Sequence, residues 1–266
     1  MPPAKKRTRT RSYDSAKIRA AVLTQFGSVR EAVRALTDQQ LAAPAQLGDW
    51  TIRELAAHIA MTVESVSRNV ERDAPAKADL DLVDLLSASA SRADDIAVGA
   101  RKLARDTPDL DALYSRTEQR IAGHLAATPD TRLLATPVGA ISLGDYLVTR
   151  TVELVVHTDD LNRAAGLDIP YDRQALAACT RMLADALALR APGASTEVRV
   201  PPFAVVQCIE GPRHTRGTPP NVVETDPLTW IRLATGRTTW EAELAAAHVS
   251  ASGERADLSA LLPLMG

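Results

Sequence analysis

Apolar residues recur every three or four positions through most of the first 166 residues, which is the spacing of one face of an α-helix. An apolar stripe after Asp14 predicts the first helix; its members are Ile18, Val22, Phe26, Val29 and Val33. A second stripe runs from Leu55 to Val66. Thr51 with Glu54 three residues later forms a capping box, which predicts that the second helix begins there.

The next part of the chain has a weaker helical pattern. Residues 80–105 contain many small residues and a serine-rich centre, and they predict a third helical region. Thr107 as an N-cap and Pro108 at the first helical position predict a fourth helix that runs to about Thr128.

The last helix of this half follows a break in the pattern. Residues 129–140 are predicted to form a loop or a short extended pair, because Pro137 and Gly139 interrupt any helix. Ser142 and Asp145 then predict a helix start, and Gly166 predicts its end. Four or five helices with modest loops over residues 15–166 predict an all-α, up-and-down bundle.

The pattern changes after residues 166–171, which we interpret as a linker. A helix is followed by short β-rich runs at residues 196–200, 203–209, 222–223 and 249–251. Residues 211–220 are rich in turn formers and predict a connector, with a mobile anion-binding lid as the alternative interpretation. Residues 172–266 are therefore predicted to form a second, α+β domain.

Three short helices are predicted within this second half. Asp226 before Pro227 is a cap followed by proline, which predicts a helix that Gly236 ends. A second helix is predicted after Thr239, and residues 258–262 predict a closing helix.

Composition excludes several functional classes. A chain of 266 residues predicts two domains. Its net charge of −2 and its 3% aromatic content argue against a nucleic-acid-binding protein. No apolar run approaches the roughly 18 residues of a membrane span. The two cysteines, Cys179 and Cys208, predict buried inert thiols and a reducing, cytoplasmic environment rather than a disulfide framework.

The first 14 residues carry five basic side chains and no apolar segment follows them, so we do not expect a secretory signal. They are predicted to form a disordered, solubilising tail. Contact with an anionic surface is the alternative interpretation.

Three residues predict a metal site. Glu153 and His157 are four residues apart, so on a helix they lie on the same face. His58 lies at the edge of the second stripe, and together the three form a His₂Glu set, which zinc uses in catalytic sites. The alternative is two unrelated core histidines and a surface glutamate. Asp160 is predicted either to orient His157 or to be exposed.

Two segments carry a family resemblance. Residues 49–60 read DWTIRELAAHIA, and residues 150–166 read RTVELVVHTDDLNRAAG. Over about residues 15–166 the chain resembles the mycothiol-dependent maleylpyruvate isomerase family, whose bundle is DinB-like. The resemblance implies that His58, Glu153 and His157 bind zinc.

The C-terminal half is similar to the sterol-carrier-protein fold. The resemblance rests on residues 224–264, in which a strand, a capped helix, a second helix and a strand closing on a glycine follow in that order. Maleylpyruvate isomerases also carry a sterol-carrier-like domain, so the two resemblances imply one architecture.

The expected function is that of a zinc-dependent enzyme acting on a small electrophilic molecule by isomerisation or S-transfer. Because we expect no cysteine in the bundle, the thiol is expected to be a low-molecular-weight cosubstrate such as mycothiol. Five arginines of the second domain could reach a substrate carboxylate, and the sequence does not choose among them; they are Arg199, Arg213, Arg216, Arg232 and Arg237. The alternatives are a lipid- or sterol-binding protein with a degenerate bundle and a purely structural or regulatory bundle.

Overall fold

The computed structural model describes residues 11–83, 92–211 and 220–265. The chain divides into two compact units. The N-terminal unit is Ser15–Cys179, and the C-terminal unit is Thr180–Leu264 together with residues 11–14. The linker and the domain bounds proposed from the sequence stay predictions.

The N-terminal unit is a bundle of helices with one small hairpin. Within the described residues its elements are α1 (Ser15–Arg34), α2 (Asp38–Leu41), α3 (Ile52–Val70), α4 (Ala93–Asp106), α5 (Leu110–Ala127), β1 (Leu133–Thr136), β2 (Gly139–Ser142), α6 (Leu143–Ala165) and the first part of α7 (Arg173–Arg190). Helix α3 packs against α4, α5 and α6, and α1 packs against α5 and α6. The helical bundle predicted from the sequence is confirmed.

Local sequence signals fix where the helices that carry the candidate ligands begin and where α6 ends. The Thr51 hydroxyl accepts from the Glu54 amide at 3.3 Å, and the Glu54 carboxylate accepts from the Thr51 amide at 2.8 Å, which completes the predicted capping box of α3. Ser142 caps α6 by accepting from the Asp145 amide at 3.2 Å. Gly166 ends α6 with a φ of 63°, a conformation that glycine adopts without strain.

Helix α5 begins two residues later than the sequence predicts. Its N-cap is Asp109, whose carboxylate accepts from the Ala112 amide at 2.9 Å, and the predicted cap at Thr107 is wrong. The carbonyl oxygen of Pro108 instead accepts from Arg53 at 3.2 Å. A carboxylate is a stronger acceptor than a hydroxyl for helix amides, so the competition favours Asp109. Part of the predicted third helical region, residues 84–91, lies outside the described residues.

Aromatic packing fixes α1 against α5. The Phe26 side chain is fully buried, and its ring stacks on that of Tyr114 with 4.8 Å between the centroids. The Tyr114 hydroxyl donates to the Ala56 carbonyl at 2.8 Å, so Tyr114 also connects α5 to α3. Burial raises the pKa of Tyr114.

The C-terminal unit is α+β, as the sequence predicts. Its strands are β3 (Thr196–Val200), β4 (Ala204–Cys208), β5 (Val222–Thr225) and β6 (Val249–Ser252), and its further helices are α8 (Pro227–Ala234) and α9 (Trp240–Ala245). The sheet order is β4-β3-β5-β6, with β3 and β5 parallel and the other pairs antiparallel. Asp226 caps α8, as predicted.

One prediction for this unit is wrong, and another falls mostly outside the described residues. The predicted closing helix is wrong, because only a single 3₁₀ turn forms at Ser259–Leu261. Pro263 lies two residues after this turn and disfavours the helical conformation of Leu262. The predicted connector lies largely outside the described residues. Among the described helices, none is long and apolar enough to cross a membrane.

Candidate metal centre

Helices α3 and α6 bring the three predicted ligand residues together. His58 lies on α3, and Glu153 and His157 lie one turn apart on α6. Both histidines are buried, whereas the Glu153 side chain retains 18% exposure. Every residue from Tyr146 to Leu161 on α6 is buried apart from Glu153.

The ligand atoms form a compact triangle. The Nε2 atoms of His58 and His157 are 3.1 Å apart. The Glu153 Oε2 atom is 3.5 Å from the first and 3.4 Å from the second. A tetrahedral ion with bonds of about 2.0–2.1 Å places its ligand atoms about 3.3–3.4 Å apart. The triangle therefore fits a small divalent ion without a rearrangement of the helices.

The electrostatics of the triad favour an anionic carboxylate. Burial alone would raise the pKa of Glu153. Hydrogen bonds from His157 and His58, with the positive charge of Arg150, instead hold that pKa well below its ordinary value. Burial lowers the pKa of His58, and the neighbouring His157 and Arg150 lower it further. One anion and one neutral imidazole are protonation states that metal binding requires.

Asp160 orients His157 within the site. Its carboxylate is buried and lies 2.9 Å from His157 Nδ1. Burial lowers the pKa of His157, but hydrogen bonds to Asp160 and Glu153 raise it overall. A proton held on Nδ1 leaves Nε2 free to bind a metal, the usual role of an acidic partner behind a ligating histidine. This contact supports the predicted orienting role of Asp160. The alternative prediction, that Asp160 is exposed, is wrong.

Unlike His157, His58 has no acidic partner at its Nδ1 atom among the described residues. Its Nδ1 atom is buried and has no hydrogen-bond partner among the described residues. The Trp50 ring packs against the imidazole edge to face, with 5.3 Å between the centroids. On the Nδ1 side, packing rather than a polar contact therefore holds the His58 ring.

We expect Asp160→Asn to weaken zinc binding about 10- to 100-fold, the usual cost of losing such an acidic partner. The matched control is Asp159→Asn, which removes the same charge at the adjacent buried position. Asp159 accepts from the Tyr171 hydroxyl at 3.0 Å. Competition with a chromophoric chelator measures both affinities. Equal weakening in the two variants would contradict a specific role for Asp160.

A cavity of about 300 Å³ opens beside the triad, and His58 and Glu153 contribute to its wall. Four arginines also line it: Arg68, Arg72, Arg92 and Arg150. The described residues of the wall also include two carboxylates, Asp95 and Glu153, so the net charge of the described lining is 4 − 2 = +2 with neutral histidine. The cavity is therefore suited to an anionic molecule.

The arginines named from the sequence as candidates for binding a substrate carboxylate belong to the second domain. Of those five, Arg213 and Arg216 lie outside the described residues, and the remaining three are absent from the described wall of this cavity. A signal for Arg150 was present in the sequence. It precedes Glu153 by three residues and His157 by seven, so all three share one face of the helix.

Both cysteines are buried, as the sequence predicts. Cys179 lies on the first part of α7, at the end of the N-terminal unit and outside residues 15–166 of the predicted bundle. Burial raises the pKa of the Cys179 thiol, and the charge of Glu153 adds to that effect. Burial also raises the pKa of Cys208 to about 11. Both are protonated at neutral pH, and neither lines the described cavity.

Two histidines outside the triad have ordinary contacts. His124 lies 3.0 Å from Glu71, and His248 lies 2.7 Å from Glu243. His214 lies outside the described residues. Among those residues, the triad forms the one group of three or more potential ligands close enough together to hold a metal ion.

Comparison with known families agrees with both resemblances. Residues 22–162, more than half of the chain, match the family described as mycothiol maleylpyruvate isomerase N-terminal domain. Residues 172–264 match the family described as bacterial SCP ortholog, where SCP denotes sterol carrier protein. Among curated proteins, no match was found.

Two solved structures share the fold. The crystal structure of the mycothiol-dependent maleylpyruvate isomerase is 16% identical, with a TM-score of 0.58, and that of a histidine-to-alanine mutant has the same identity and a TM-score of 0.59. Each alignment covers 92% of this chain and 95% of the other. A probable metal-dependent hydrolase from Bacillus subtilis also matches, at 22% identity and a TM-score of 0.39, over 61% of this chain and 94% of that one.

Proposed function

The chain belongs to the family of the mycothiol maleylpyruvate isomerase N-terminal domain, and we propose that it is a zinc-dependent enzyme that uses a low-molecular-weight thiol. The thiol, mycothiol or a similar molecule, acts on a small electrophilic substrate, with isomerisation or S-transfer as the outcome. The observation that carries the proposal is the convergence of His58, Glu153 and His157 on one point beside the cavity.

The donor set supports zinc as the metal. Two imidazole nitrogens and one carboxylate oxygen are a zinc set in which the fourth position stays open for a reacting molecule. A zinc ion there would supply Lewis acidity and keep a bound thiol in its thiolate form, which is the nucleophile. Glu153 contributes the negative charge, and Asp160 holds His157 in the tautomer that leaves Nε2 available.

The state of the cysteines supports an external thiol. A protonated, buried thiol is a poor nucleophile, and burial keeps Cys179 and Cys208 in that form. The cavity beside the triad has room for a small substrate. The proposed reaction therefore takes its sulfur nucleophile from solution.

The test combines zinc-loaded full-length protein with mycothiol and a panel of small electrophilic carbonyl compounds. We expect turnover that requires the thiol, stops on chelation and falls to background in Glu153→Ala. Proton NMR follows isomerisation, and a chromogenic thiol assay follows consumption of mycothiol. Cys179→Ala is the matched control and should retain activity. Turnover without added thiol, or turnover that Cys179→Ala abolishes, would contradict the external-thiol mechanism.

A second candidate function rests on the match of residues 172–264 to the bacterial SCP ortholog family. In this alternative, the C-terminal unit binds a lipid, a sterol or another small apolar ligand, and the bundle is a scaffold. Lipid in an organic extract of the purified protein, together with absence of thiol-dependent turnover, would favour it over the enzyme.

A further inference from the structure

A buried guanidinium group lies in the wall of the cavity. Arg150 is 7% exposed, although it is charged at every physiological pH. It lies on α6, and its guanidinium carbon sits 4.5 Å from the centre of the Tyr146 ring. Its charge acts on both Glu153 and His58, since it lowers the pKa of each. Arg150 is therefore part of the wall beside the metal centre.

The hydrogen bonds of Arg150 use only part of its capacity. Its Nε and Nη2 atoms both donate to the Thr149 hydroxyl, at 3.2 and 3.1 Å, and Nη1 donates to the Thr62 carbonyl at 3.4 Å. A guanidinium has five N–H groups, so 5 − 3 = 2 remain, one on each terminal nitrogen. Neither has an acceptor among the described residues.

Among the described residues, Arg150 also forms no ion pair. Within the described part of the chain, no carboxylate lies within ion-pair distance of it, and its acceptors are a neutral hydroxyl and a neutral carbonyl. The carboxylate of Glu153, whose pKa the charge of Arg150 lowers, is directed at the two histidines. A buried cation without a paired anion is energetically costly, and such groups in proteins are normally paired.

The two remaining N–H groups are available to bind a carboxylate. One N–H on each terminal nitrogen forms a planar fork, which matches the two oxygens of a carboxylate. The side chain of Arg150 borders the cavity of about 300 Å³, whose described lining residues carry a net positive charge. A small organic acid in that volume can supply both the missing acceptors and the missing charge.

We propose that Arg150 binds a carboxylate of the small molecule that occupies this cavity and so determines its specificity for organic acids. The inference rests on the proposed function only in taking the cavity as the substrate site. The guanidinium anchors the acid while the electrophilic part of the molecule faces the triad. Arg150 is thus a substrate-binding residue distinct from the three proposed ligands.

The test measures binding of succinate and its neutral analogue succinamide to the full-length protein by calorimetry. We expect succinate to bind and succinamide to bind at least tenfold more weakly. Arg150→Met should weaken succinate binding at least tenfold, and Arg150→Lys should also weaken it, because lysine keeps the charge but loses the fork. Arg116→Met, which changes an exposed arginine outside the cavity wall, should leave the affinity unchanged.

Unfolding experiments separate this role from a structural one. Without ligand, Arg150→Met should unfold at the same or a higher urea concentration than the wild type, because an unpaired buried charge is removed. A less stable Arg150→Met variant that binds succinate as the wild type does would overturn the proposal. If Arg150→Met does not fold, Arg150→Lys decides, and wild-type succinate affinity in that variant overturns the proposal.

Binding is measured in zinc-loaded and in chelated protein, so that the two proposals can fail separately. Arg150-dependent succinate binding in a protein without thiol-dependent turnover would support the role of Arg150 and contradict the proposed enzyme. Thiol-dependent turnover with succinate binding unaffected by Arg150→Met and Arg150→Lys would support the proposed enzyme and contradict the role of Arg150.

Discussion

His157→Ala is expected to remove nearly all zinc from the purified protein while the helical circular dichroism stays close to that of the wild type. The substitution deletes one corner of a triangle whose edges measure 3.1–3.5 Å. The loss in affinity should exceed the roughly 10- to 100-fold cost of removing a partner behind a ligand, because a ligand itself is lost. His58→Ala and Glu153→Ala should behave in the same way. Mass spectrometry of the metal content gives the stoichiometry.

The matched control for these variants is His124→Ala. His124 is also a helix histidine and also lies beside a glutamate, at 3.0 Å from Glu71, but it is outside the triad. It should retain zinc at the wild-type level. Full zinc occupancy in His157→Ala would show that the site is wrongly located. Wild-type protein that takes up no zinc even when zinc is supplied would contradict the zinc-enzyme proposal and favour the ligand-carrier alternative.

Phe26→Ala is expected to destabilise the N-terminal unit by about 3–5 kcal/mol, the range for truncating a buried phenylalanine. The Phe26 ring is fully buried, and its stacking on Tyr114 is lost with it. The helices around it are held by several other contacts, so the surrounding side chains can fill the vacated space only in part. Urea unfolding followed by circular dichroism measures the change.

Val98→Ala provides the comparison, because Val98 is a 65% exposed apolar residue on α4. Substitutions at such surface positions usually change stability by no more than about 0.5 kcal/mol. A similar loss of stability in both variants would contradict the view that the Phe26–Tyr114 contact organises the core.

Local signals in the sequence predict the helices well because the groups that end a helix are close in sequence. Thr51 and Glu54 satisfy each other across three residues, and Gly166 supplies a conformation that few other residues adopt easily. Prediction fails where two local signals compete. Thr107 and Asp109 are both acceptable caps, and the sequence does not show that the backbone near Pro108 will accept from Arg53 on another helix.

The candidate site was predictable only in part. The spacing of Glu153 and His157 places them on one face, but His58 is 99 residues from His157, and only the packing of α3 on α6 brings the two rings together. The family resemblance supplied that long-range information. It did not indicate Arg150, because the burial and the unused N–H groups of a side chain depend on what packs around it.

The burial of α6 has a consequence for how a metal ion would be taken up. Glu153 and His157 lie on a helix whose residues are covered on almost every side from Tyr146 to Leu161, so their backbone is ordered by the hydrophobic core. In small zinc-dependent domains, by contrast, the ion itself drives folding. Here the entropic cost of assembling the proposed ligands is met when the chain folds, and a metal ion would enter a preorganised site. Most of its binding free energy would then be available for affinity rather than for folding.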